Sequence, residues 1–224
     1  MNVKITEKQF TEALKFEISR YLFGSRLHGI ANEDSDSDYL VILHNSFYDE
    51  FETLAKYLPN IHSFQLDDIK NNTQYVLMTE RQFYNNLYTG DGNINADIVL
   101  LSGKFENPLF LCSGYKTIKG YLGVAKRDIK LHGNDPKKLF HAHRSLFMAN
   151  KLINGELPTI EDIVKLKDGE LPSKEDLISK QDTLRVKINK MLDDGEITLY
   201  PNFIENKELL KIMAKSNNIK QFKY

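Results

Sequence analysis

The chain of 224 residues contains a single cysteine, Cys112, and no apolar run approaching the length of a membrane-spanning helix, roughly 18 residues. One thiol excludes an internal disulfide framework and a cysteine-built zinc cluster, and it fits a reducing compartment. The opening segment MNVKITEKQF lacks the apolar stretch of a secretory leader. The expectation from these absences is a soluble, cytoplasmic protein with no membrane partner, in which Cys112 is buried and inert. Several catalytic signatures are missing as well: a P-loop, a G-x-S-x-G nucleophile turn, an H-E-x-x-H zinc helix and a Rossmann glycine pattern. There is no internal repeat and no low-complexity linker. What remains is 41% hydrophobic residues, enough for a core in one large domain or two small ones.

Charge is nearly balanced overall, at −1, but not along the chain. Residues 1–110 carry 9 Lys+Arg against 16 Asp+Glu, and residues 111–224 carry 21 against 15. Pro108 and a change of pattern mark the division, giving two expected domains, 1–110 and 111–224. An acidic half beside a basic half suits a metal-carboxylate site facing a polyanion-binding surface. Two ordinary solvated surfaces would give the same count.

Hydrophobic spacing predicts a helix over 6–17, capped by Thr6, then a strand over 18–23 ending at Gly24-Ser25. The run 39–43 (YLVIL) is continuous and of strand length. A helix is expected over 48–58, strands near 62–66 and 73–78, and a helix over 79–88. Gly90 to Asn93 reads as a loop, and 96–101 as strand or helix start. Beyond residue 115 the pattern is helical, over 115–131, 136–154, 173–193 and 205–216. The fold class expected is therefore α+β, a strand-rich first half followed by a helical second half.

The chemistry concentrates in Gly24-Ser25-Arg26-Leu27-His28-Gly29 and Ser35-Asp36-Ser37-Asp38, just ahead of the apolar strand. Aspartates at i and i+2 on a strand share a face, so both can serve one pair of divalent cations. Carboxylate oxygens are the ligands Mg²⁺ prefers, with its other positions left to water and triphosphate oxygens. Gly24 and Ser25 offer close backbone approach, N–H donors and a hydroxyl, and Arg26 a phosphate contact. An Asp-x-Asp alone is more often a turn. His141 and Arg144, three apart, share a helix face that serves either packing or a ligand. Lys207, Lys211 and Lys215 form a basic stripe that either tracks a nucleic-acid backbone or is solvated. His28 either faces the triphosphate or decorates a loop.

GSRLHG followed by SDSDYLVI resembles the DNA polymerase β-type nucleotidyltransferase superfamily, whose pattern is a Gly-Ser turn and, about ten residues later, Asp-x-Asp. NINADIVLL is similar to the Asn-Pro-Asn-x-x-Glu-Leu-Leu stretch of the nucleotidyltransferases grouped as RNA-repair-pathway polymerase β-like proteins. KKLFHAHRSLFMANKLINGELP looks like their His-x-x-Arg helix and Gly-Glu-Leu-Pro turn, and KLKDGEL resembles a later Gly-Glu element. The resemblance runs from about residue 21 to 194. It implies a nucleotidyltransferase-type mixed sheet with a helical C-terminal domain, Mg²⁺ or Mn²⁺ as cofactor, and transfer of an NMP from an NTP, ATP first, to an acceptor hydroxyl. Asp36 and Asp38 would bind metal, Gly24, Ser25 and Arg26 the triphosphate, and His141 and Arg144 the nucleotide. The departures are Ile94 in place of proline and Ile98 in the glutamate's register, which leaves Asp97 as the expected third catalytic and metal-binding carboxylate and Asp67 and Asp68 as alternatives. The acceptor suggested is an RNA end such as tRNA, held by the basic half. Transfer to a protein or small molecule, and a nucleotide- or RNA-binding module without turnover, are the other readings.

Overall fold

The computed structural model of the chain describes residues 2–47, 63–91, 93–132 and 135–201. The helix expected over 48–58, the one expected over 205–216 and the stripe of Lys207, Lys211 and Lys215 lie outside them. The protein is α+β, and the chain divides into two compact units. The first comprises Met1–Arg26, Ala31–Asn85 and Asn206–Tyr224, the second Leu27–Ile30 and Asn86–Glu205. Residues 86–110, grouped with the first domain on sequence, thus belong by packing to the second unit.

The first unit is built on five strands, β1 (Asn2–Lys4), β2 (Glu17–Phe23), β3 (Ser37–Leu43), β4 (Ser63–Asp68) and β5 (Thr73–Thr79), in the order β1-β4-β5-β3-β2. The sheet is mixed: β1 with β4 and β3 with β5 are parallel, while β2 with β3 and β4 with β5 are antiparallel. Central β3 explains the unbroken apolar run. Leu40, Val41, Ile42 and Leu43 are all buried, so both faces of the strand are covered and no polar alternation is needed. One face packs Val41, Leu43, Phe64 and Leu77 against Ala13 of α1 (Glu7–Ala13), with Phe10, Leu14 and Tyr75 at the margin. Thr6 caps α1 through a reciprocal box with Gln9. The helix expected to reach residue 17 stops earlier, passing through a 3-10 turn at Leu14–Phe16 into β2.

The second unit is helical. Helix α2 (Gly24–Leu27) ends in it and α3 (Glu80–Thr89) runs into it, followed by α4 (Asn93–Leu101), α5 (Pro108–Cys112), α6 (Tyr115–His132), α7 (Pro136–Ile153), α8 (Ile160–Asp168) and α9 (Lys174–Asp193). The run 96–101 is helix, not strand: every residue from Asn95 to Leu101 is buried, so the segment is covered all round and shows no readable period. Helices α6, α7 and α9 pack on one another. Ile118, Tyr121, Leu122, Ala125 and Ile129 form the buried stripe of α6, and Leu177, Gln181, Leu184 and Ile188 that of α9. Gly155, at φ +67, ends α7 as the left-handed residue after its last turn. No helix among the described residues is long and apolar enough to cross a membrane.

Candidate functional site

In the first unit, β2 and β3 form an antiparallel pair in which Phe23 lies opposite Asp38. The chain leaves β2 at Gly24 with φ +66, a conformation that suits glycine. A side chain here would also have to displace the Asp38 carboxylate. A Cβ on Gly24 would stand 2.2 Å from Asp38 Oδ2, so the carboxylate rests directly on the glycine backbone. The two motifs read separately in the sequence, Gly-Ser and Asp-x-Asp, are therefore in contact. Asp38 is the second residue of β3 and half-buried, and Asp36, exposed, stands just ahead of that strand.

Arg26 is tied to the loop that precedes β3. Its Nη2 donates to the Ser35 carbonyl at 2.6 Å and its Nε to the Asp36 carbonyl at 3.1 Å, so the guanidinium pins the loop that presents Asp36. Within that loop Ser35 Oγ donates to Asn32 Oδ1 at 2.7 Å and accepts from the Asn32 N–H at 2.9 Å. From the other side the Ser37 N–H donates to the Asn72 carbonyl at 3.0 Å. Ser25, partly exposed, follows Gly24 on α2. Among the described residues no group of three or more His, Cys, Asp or Glu side chains converges as a metal site. Asp36 and Asp38 are the two carboxylates of the Asp-x-Asp motif, and Mg²⁺ accepts two when water and phosphate oxygens fill its remaining positions.

Asp97 lies in the second unit, on α4, and is 7% exposed. Both of its oxygens are engaged: Oδ2 with His28 Nε2 at 3.0 Å and Oδ1 with the Tyr121 hydroxyl at 2.6 Å. The other ring nitrogen of His28, Nδ1, is 3.1 Å from Arg144 Nη1. A guanidinium only donates, so Nδ1 accepts and Nε2 carries the proton given to Asp97. Burial pushes the Asp97 carboxyl upward, but the bonds from His28 and Tyr121 and the charge of Arg144 outweigh it and hold the group below the usual range. Asp97 thus orients Arg144 through His28. The partners of His28 lie 69 and 116 residues away, beyond any local spacing pattern.

Arg144 and Asp97 open onto a cleft of about 500 Å³ whose wall also includes Asp91, Ile94, Tyr121, Val124, Asp128 and His141. His141, half-buried, has its pKa lowered to about 4 by burial and by the charges of Arg144 and Lys138. His143, one position off that face, is buried, and its Nδ1 has no hydrogen-bond partner among the described residues. Its pKa is also lowered to about 4, by burial and by Lys180. Cys112 is fully buried, and burial together with Asp97 drives its thiol pKa up, so the thiolate is suppressed as composition suggested. Asp67 and Asp68, the alternative third acids, lie on β4. Asp67 pairs with Lys4 at 2.7 Å and Asp68 accepts from Asn71 at 2.7 Å.

No protein-family model matches the chain, and no curated protein matches it.

Proposed function

We propose that the chain is a divalent-metal-dependent nucleotidyltransferase that moves an NMP from an NTP to an acceptor hydroxyl and releases pyrophosphate. One observation carries this reading: the Asp38 carboxylate seated on Gly24, where the Gly-Ser turn meets the start of β3. A mixed sheet whose β2–β3 pair bears both motifs is the arrangement that the resemblance to polymerase β-type nucleotidyltransferases calls for. Asp36 and Asp38 would hold Mg²⁺ or Mn²⁺, which when bound lowers the pKa of an attacking hydroxyl and neutralises triphosphate charge. Gly24, lacking a Cβ, lets the carboxylate sit against the backbone. Arg26 and Asn72 fix the loop so that Asp36 is presented without rearrangement. Asp97 takes no part as a metal ligand in this reading, since both its oxygens serve the His28–Arg144 network.

The test is incubation with labelled ATP and the other NTPs, Mg²⁺ or Mn²⁺, and separate RNA, protein and small-molecule acceptor fractions. We expect transfer to one fraction, reduced at least about 1,000-fold by Asp36→Asn with Asp38→Asn, the order of loss expected when a site's main electrostatic groups are removed. Undiminished labelling by the double variant would sink the assignment.

The alternative reading is a nucleotide-binding module without turnover. Metal-dependent NTP binding with no pyrophosphate release from any acceptor fraction would select it.

A further inference from the structure

We propose that the cleft of the second unit binds the carboxylate of a small organic acid on the open edge of the Arg144 guanidinium. The inference does not depend on the transferase reading, and it uses residues of the second unit only.

Arg144 is a fixed cation with most of its donors left over. Its Nη1 lies 3.1 Å from His28 Nδ1, and Arg144 makes no other hydrogen bond or ion pair among the described residues. His28 is 2% exposed and does not line the cleft, whereas Arg144 is partly buried and does. Nη1 thus turns toward the core, and the edge bearing Nε and Nη2 is the donor pair that a ligand can take. Behind it stands a buried chain, in which Asp97 accepts from His28 Nε2 at 3.0 Å and from the Tyr121 hydroxyl at 2.6 Å. Enclosing a carboxylate, an imidazole and a phenol is costly unless each is satisfied, and here they satisfy one another while holding one guanidinium. A cation fixed in advance loses little freedom when a ligand arrives.

Geometry and charge select the ligand. Two parallel N–H groups on one edge of a guanidinium match the two coplanar oxygens of a carboxylate. With His141 neutral, the wall carries Asp91, Asp97 and Asp128 against Arg127 and Arg144, and no lysine lines it. Arg127 is already spent on Asp128 Oδ1, through Nε at 2.9 Å and Nη2 at 2.8 Å. One cation is left for the ligand, enough for a single negative charge and too little for a phosphate dianion or a polyphosphate beside three carboxylates. Ile94 and Val124 add apolar surface for the body of the acid, and a cleft of about 500 Å³ is of small-molecule size.

The experiment is NMR titration of the full chain, read at the Arg144 Nε–H resonance, with acetate, butyrate, inorganic phosphate and ADP. EDTA keeps metal-dependent binding at Asp36 and Asp38 out of the readout, so failure here leaves the transferase reading untouched. Acetate and butyrate should shift the resonance saturably, butyrate binding more tightly by about fourfold for each methylene it buries. Arg144→Lys keeps the charge and loses the fork, and should weaken butyrate by about tenfold or more, read at backbone amides of the cleft. No saturable shift at Arg144, butyrate no tighter than acetate, or tighter binding of phosphate or ADP than of butyrate would overturn the proposal. So would an equal shift at Arg185, exposed on α9, which would reveal general screening of surface cations. The wild-type series decides even if the variant does not fold.

Discussion

His143 and Asp97 are buried side chains that both cost stability on acidification, in different pH windows. His143 is held unprotonated in the fold, so between pH 6.5 and about 4 the unfolded chain binds a proton that the folded chain refuses. Its contribution is complete above pH 6.5 and declines through that window, by an amount on the order of 3 kcal/mol at most. Asp97 is held ionised, so its contribution survives that window and fails below the ordinary carboxylate range. Urea unfolding against pH should therefore show two declines. His143→Gln should reduce the upper one, leaving the part that His141 contributes in the same window. Tyr121→Phe should move the lower one to higher pH and cost about 1–3 kcal/mol at neutrality, because Oδ1 loses its donor in a buried site. A single decline unaffected by either substitution would contradict this account.

Among the elements, the β2–β3 junction is set most tightly. Gly24→Ala meets both a left-handed backbone and a carboxylate oxygen 2.2 Å from the new carbon, and should destabilise by about 2–4 kcal/mol in thermal unfolding. A loss below 0.5 kcal/mol would mean that Asp38 moves away freely. This junction was legible in the sequence because both of its halves are local: a strand ending in Gly-Ser and an apolar strand starting after Asp-x-Asp. Helix α8 has a start that is legible in the sequence, the capping box of Thr159 and Asp162. Helix α4 was not legible as a helix, since burial on all sides erases the amphipathic period on which such readings depend. The His28–Asp97–Arg144 network was illegible for another reason: no spacing rule joins residues from a turn and two helices so far apart in the chain.

For the whole molecule, the charge imbalance of the two sequence halves does not survive division by packing. Residues 27–30 and 86–205 carry 17 Lys+Arg and 17 Asp+Glu, while 206–224 carry five lysines against one glutamate. The second unit is thus neutral, and most of the basic excess expected to hold an RNA acceptor resides in the last nineteen residues, outside the described ones. A chain ending at residue 205 should lose most salt-dependent RNA retention in filter binding, at least about tenfold at low salt. Equal RNA retention by both chains would place that affinity elsewhere.

The hexapeptide Gly24 to Gly29 reads as one motif, yet the unit boundary falls inside it, after Arg26. Its first three residues are tied to the entry of β3, and His28 is tied to the helical core. Scanning substitutions across these six positions would therefore sort into two unlinked phenotypes. Those at 24–26 should alter metal-dependent behaviour, and those at 28 the conformation of Arg144, so a loss at His28 is no evidence about the Asp36–Asp38 pair a few residues along the chain.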